Sequence, residues 1–94
     1  MKEYFVYIMA SDSKTIYTWV TNNLVKRVFE HKNKILKWFT QKYGCDKLVY
    51  FEKFWDINDA ISAEKTIKNY KREWKVNLIE KNNPDWLDLS LDLS

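Results

Sequence analysis

Two tyrosines, an arginine, a histidine and a glutamate hold the chemical potential of this chain. Tyr17 stands in the run Ile16-Tyr17-Thr18-Trp19-Val20-Thr21, and Arg27 and His31 follow it, four residues apart. Residues 15–21 are rich in β-branched and aromatic types, the composition of a strand. Asn22 and Asn23 then present side-chain oxygens where a helix N-cap sits. A phenol, a guanidinium and an imidazole leaving a strand–helix corner form a set suited to handling phosphate. Arg27 and His31, at i and i+4, share one helix side, while Leu24 and Val28 mark another, apolar side. Trp19 points the same way as Tyr17, because side chains alternate along a strand. Tyr7 lies in an earlier apolar run, and a hairpin places its ring on the Tyr17 face if the register holds. Glu64 falls inside a helical stripe of Ile57, Ala60, Ile61, Ile67 and Tyr70. A carboxylate there is costly unless it is paired or binds a metal.

The elements that must position these groups follow from the pattern. Tyr4-Phe5-Val6-Tyr7-Ile8-Met9 is a continuous apolar run, the mark of a strand buried on both faces. Residues 10–14 are a polar turn, short enough to return the next strand as a hairpin. A first helix runs over residues 24–33. Residues 47–55 read as a third strand, and Asp56 caps a second helix over residues 57–70, with Asp59 favourable in its first turn. A last helix over residues 72–81 turns Trp74 and Leu78, with Val76 or Ile79, inward, and Asn82-Asn83-Pro84 stops it. The order is β-β-α-β-α-α, an α+β pattern in one domain over residues 1–94. Residues 87–94 alternate apolar and acidic types and are expected as a loosely held tail.

Composition narrows the function classes. Apolar residues make up 46% of 94, with five Trp, six Tyr and five Phe, enough for a single core. One Gly excludes a glycine-rich phosphate loop, and one Cys with one His excludes a Cys/His zinc site. No stretch is long and apolar enough to span a membrane, and residues 1–3 open no signal peptide, so a cytoplasmic location is expected. Residues 1–50 carry nine Lys/Arg against four Asp/Glu, whereas residues 51–94 carry seven against nine. Lys26, Arg27, Lys32, Lys34, Lys37 and Lys42 crowd the basic half, and Trp38, Phe39 and Tyr43 interleave with them. Such a patch grips nucleic acid through phosphate neutralisation and base stacking. For Phe39 and Tyr43 core packing is the simpler role. Nothing in these patterns fixes the oligomeric state.

Taken in order, the motifs resemble the GIY-YIG nucleases, in particular small stand-alone members related to the UvrC N-terminal domain. The resemblance rests on Val6-Tyr7-Ile8, on Ile16-Tyr17-Thr18-Trp19-Val20-Thr21-Asn22, and on the helix ending Arg27-Val28-Phe29-Glu30-His31. It continues through Phe39-Thr40-Gln41-Lys42-Tyr43-Gly44, Lys47-Leu48-Val49-Tyr50, Ala60-Ile61-Ser62-Ala63-Glu64-Lys65 and Asn82-Asn83-Pro84-Asp85-Trp86. It implies a three-stranded antiparallel sheet flanked by helices and a DNA endonuclease activity, with branched or damaged DNA as a possible substrate. Tyr7 and Tyr17 correspond to the two motif tyrosines, Arg27 to the phosphate-binding arginine and His31 to the histidine one turn later. Glu64 corresponds to the single metal-ligand glutamate and Asn83 to a late asparagine near the site. The implied cofactor is Mg2+ or Mn2+, the choice for an oxygen-only site with phosphate.

Those residue types suit phosphodiester cleavage, which must activate water, stabilise phosphate charge and release the 3′ oxygen. A cation on Glu64 stabilises the leaving oxygen, and Arg27 holds the phosphate bidentately. A tyrosine is a poor base unless nearby cations lower its pKa, and Arg27 and the metal are placed to do so. Tyr17 is the first choice of base with Tyr7 as partner, and the reverse assignment is open. His31 either relays a proton or contacts phosphate. The chain departs from the family where Trp19 replaces the second motif's glycine. Its indole either stacks a base, fills the cleft or repacks against Tyr4 or Trp38. A nuclease and a non-catalytic nucleic-acid-binding module therefore both stand as readings, with a protein-interaction domain third.

Overall fold

In the computed structural model, described over residues 2–33 and 44–93, strands β1 (Tyr4–Ala10), β2 (Ile16–Thr21) and β3 (Lys47–Phe54) form one antiparallel sheet. Helix α1 (Leu24–Lys32) falls between β2 and β3, and α2 (Ile57–Lys68) and α3 (Arg72–Asn82) follow β3. The strand order is β2-β1-β3, so β1 is central and β2 is an open edge. Central placement explains the continuous apolar run, since Val6, Tyr7, Ile8 and Met9 are all buried.

The alternation of β1 divides the core into two layers. Val6, Ile8 and Ala10 pack with Ala60 and Ile67 of α2, Ile79 of α3, and Trp86. Tyr7 and Met9 face the other way, packing with Leu24 and Val28 of α1 and with Cys45 and Leu48. Helices thus cover both faces, α1 on one and α2 with α3 on the other. The β1–β3 register shifts between Ile8 and Met9, so that the successive residues Val49 and Tyr50 both serve the Val6–Ile8 layer while Leu48 serves the other.

Local signals set the helix starts. The Asn23 side chain accepts from the Lys26 N–H, and the Asp56 side chain from the Asn58 N–H. Trp74, expected inside, is exposed and stands edge-on to Tyr70, while Ile79 takes the fully buried place on α3. The segment expected as a loose tail is also tied down. Asp88 accepts from the Leu48 N–H of β3 and from Ser90, pairs with Lys32 at the end of α1, and leads into a short 3₁₀ turn, Leu89–Asp92. Its acidic composition suggested solvation, but here a carboxylate satisfies a strand-edge donor. Among the described residues no helix is long and apolar enough to cross a membrane.

Candidate active site

The deepest polar contact joins Tyr7 of β1 to His31 of α1. The Tyr7 hydroxyl and His31 Nε2 are 3.0 Å apart, the rings meet edge-on, and each residue is only 1% exposed. His31 lies on the buried side of α1 with Leu24 and Val28, spaced i, i+4 and i+7. The expected pairing of Arg27 and His31 on a separate polar side is corrected accordingly: Arg27 borders the apolar stripe and His31 belongs to it. Burial, reinforced by the Arg27 guanidinium, lowers the His31 pKa to about 4. Burial also pushes the Tyr7 phenol well above its ordinary value, and Arg27 only partly opposes this. At Tyr7 desolvation outweighs the guanidinium. At neutral pH the pair is a neutral phenol bonded to a neutral imidazole.

Arg27 lies near enough to this pair for its charge to act on both groups. Its side chain is 43% exposed, and Nε lies 3.3 Å from Glu30 Oε1. Together with Lys26, Thr21, Asn22 and Asn23 these two line a small polar recess of about 150 Å3 at the β2–α1 corner. Lys26 and Arg27 give this recess two cationic residues beside the Glu30 carboxylate.

Tyr17 and Trp19 share the Tyr7 face, as expected, but the register is offset. Trp19 stands opposite Tyr7, and Tyr17 stands opposite Met9. Tyr17 is half-buried on the open edge and lines a different recess, near the β1–β2 turn. The Trp19 ring is covered by the Lys68 ammonium of α2, 4.9 Å from its centroid. Lys68 Nζ is in turn 3.6 Å from Glu64 Oε2. Glu64 is thus linked to Trp19 through Lys68, and it stands on α2, in the helix layer opposite α1. The Glu64–Lys68 spacing of i, i+4 was the available sequence signal for this contact.

Glu64 keeps 14% of its side chain exposed. Among the described residues no three His, Cys, Asp or Glu gather as a metal cluster. A hard divalent cation can nevertheless be held by one carboxylate completed by water and phosphate oxygens, so the donor type fits. The positive charge beside this carboxylate in the structure is the Lys68 ammonium.

Asn83 is the C-cap of α3. It is 4% exposed, and its Nδ2 donates to Val49 O (3.1 Å) and Leu87 O (2.9 Å). Its Oδ1 accepts from Leu87 N at 2.9 Å. The amide is spent on the backbone of β3 and of the turn after α3, where Pro84 ends the helix. Asn83→Leu is expected to cost about 3 kcal/mol, since three backbone groups lose their partner, as a shift in urea midpoint will show. Of the predicted nucleic-acid contacts, Lys26 is exposed and Lys32 is engaged with Asp88. Lys34, Lys37, Trp38 and Lys42 lie outside the described residues.

The profile of a family described as the GIY-YIG catalytic domain matches residues 3–77. That stretch includes Tyr7, Tyr17, Trp19, Arg27, His31 and Glu64, and it ends before Asn83. The UPF0213 protein CPE1444 of Clostridium perfringens is 39% identical over 79 residues, covering 84% of this chain and 85% of its own. The UPF0213 protein HQ_3675A of Haloquadratum walsbyi is 35% identical over 82 residues, covering 86% and 92%. The solution NMR structure of the UPF0213 protein BH0048 from Bacillus halodurans superposes with a TM-score of 0.60 at 23% identity, over 98% of this chain and 97% of that one. The last comparison shows a shared α+β fold.

Proposed function

This chain belongs to the GIY-YIG family, whose fold is a nuclease fold, and on that premise we propose that it is a metal-dependent DNA endonuclease. The observation that carries the reading is the buried Tyr7–His31 pair with the Arg27 guanidinium near enough for its charge to act on both groups. Arg27 takes the scissile phosphate and the charge that develops on it. Tyr17, half-buried on the edge strand, is the candidate to take the proton of the attacking water, which requires the scissile phosphate to lie between it and Arg27. Tyr7 and His31 are positioning residues: at 1% exposure they hold the wall behind the reacting groups. Glu64 would hold the divalent cation, which when bound supplies charge stabilisation for the leaving oxygen. A domain of this size offers little surface for reading bases, so the reading extends to DNA structure, branched or damaged, ahead of sequence.

One observation favours a second reading. Lys68 already sits beside Glu64 and is capped by Trp19, where the resemblance leads one to expect glycine. With that ammonium in place the chain binds DNA without cutting it. Incubation with supercoiled plasmid and Mg2+ or Mn2+ separates the two. Nicking that Glu64→Ala abolishes supports the endonuclease. A silent natural chain, with activity gained in Trp19→Gly, means the site is obstructed by the indole. Silence from the natural chain and from Trp19→Gly supports the binding module.

A further inference from the structure

The recess that Tyr17 lines is not the one that Arg27 lines. It has a volume of about 410 Å3 and lies between the β1–β2 turn and the start of α3. Three cationic side chains border it, Lys14, Arg72 and Lys75, with Tyr17 and the hydroxyl residues Ser13 and Thr15, and among the described residues no carboxylate lines it. Its geometry is tied together across 58 residues of sequence, because Arg72 Nη2 donates to the Lys14 carbonyl at 2.7 Å. Lys14 adopts a left-handed conformation (φ 65°) that turns the chain there, and its ammonium lies 5.0 Å from the Trp86 ring centroid. Three cationic residues beside hydroxyl groups give the recess a positive potential that attracts an anion.

We propose that this recess is a second phosphate site, which holds a backbone phosphodiester of nucleic acid on the side of Tyr17 away from Arg27. The assignment rests on the endonuclease or DNA-binding reading above and adds the path of the strand. The Arg27 recess opens beside Thr21, the last residue of β2, and the second recess beside Ile16, the first. Six residues of strand separate them by roughly 17 Å at ~3.3 Å per residue. A duplex strand places one phosphate per ~3.4 Å of axis, so about five phosphates span that distance. Lys68, over Trp19, lies between the two ends of the edge. The strand therefore tracks β2, gripped at both ends, with Tyr17 and Trp19 beneath it.

The test is fluorescence anisotropy with a labelled DNA duplex in EDTA, at about 50 and about 200 mM salt. The chains compared are the natural one, Lys75→Gln, Arg72→Gln, and Lys81→Gln as a control of equal charge outside the recess. Lys75→Gln and Arg72→Gln are expected to weaken binding about three- to tenfold and to reduce the salt slope by about 1. Lys81→Gln should change affinity less than about twofold. Lys75→Gln keeps the Arg72–Lys14 tie, so its loss cannot be ascribed to a loosened turn. Recess variants that bind like Lys81→Gln overturn this site and leave the functional reading standing. A natural chain that does not bind at low salt overturns both. A Lys75→Gln defect seen only with 5′-phosphorylated DNA, or abolished by competing inorganic phosphate, shows a terminal or free phosphate site and overturns the backbone assignment.

Discussion

Arg27→Ala is expected to lower plasmid nicking by about 10²–10³-fold while changing unfolding free energy by less than ~0.5 kcal/mol. The two magnitudes separate because the guanidinium has little to do in the resting fold. It is 43% exposed and shares one contact, at 3.3 Å, with a Glu30 carboxylate of its own helix. An i, i+3 pair of that kind contributes only a few tenths of a kcal/mol. Removing a preorganised charge aimed at a developing oxyanion costs far more, because water reorganises poorly in its place. Arg27→Lys should recover only part of the loss, since an ammonium keeps the charge but not the two-pronged donor geometry. Single-turnover nicking beside urea denaturation measures both quantities on the same preparations. A parallel fall in stability and rate would mean that Arg27 acts through the fold.

Acidification is expected to cost the protein roughly 3 kcal/mol of stability between pH 6.5 and pH 4, through His31 alone. The sign follows from which state binds the proton. An unfolded histidine titrates near 6.5, whereas the buried one titrates at about 4. Over that window the unfolded chain takes up a proton that the native chain refuses, so unfolding gains. The contribution is complete above pH 6.5 and is lost progressively as pH falls towards 4. Asp88 acts in a different window. Burial raises its pKa, but hydrogen bonds from Lys32, Ser90 and the Leu48 N–H hold it below 3.8 overall, so its stabilisation is lost only at lower pH. Urea midpoints followed from pH 7 to pH 4 should fall steeply in the natural chain. In His31→Gln, which starts less stable for want of the Tyr7 bond, the same curve should be nearly flat.

Much of the fold was legible because local chemistry and tertiary need agree. Asn23 and Asp56 cap the helices they precede, and residues 4–9 read as a doubly buried strand because they form the central one. The candidate site was legible only in outline. Alternation puts Tyr7, Tyr17 and Trp19 on one face, yet only the pairing register shows that Tyr7 meets Trp19. A polar residue on a helix reads as exposed until a partner is known. His31 is buried because Tyr7 supplies that partner from 24 residues away. Asn83 shows the converse: its partners are backbone groups of Val49 and Leu87, which no side-chain pattern announces. Trp74 satisfied the apolar spacing of α3, but the sheet has room for Ile79 and leaves the larger ring outside.

The central position of β1 also orders events in time. Its pairing with β2 closes across five residues, a hairpin that forms on the microsecond scale. Its pairing with β3 joins Ala10 to Lys47 and Tyr4 to Phe54, contacts far apart in sequence that must first overcome loop-closure entropy. During that interval the apolar flank of β1 has one neighbour and one bare edge, a species prone to pairing with other chains. The wall that holds Tyr7 thus joins a short-range pairing to a long-range one.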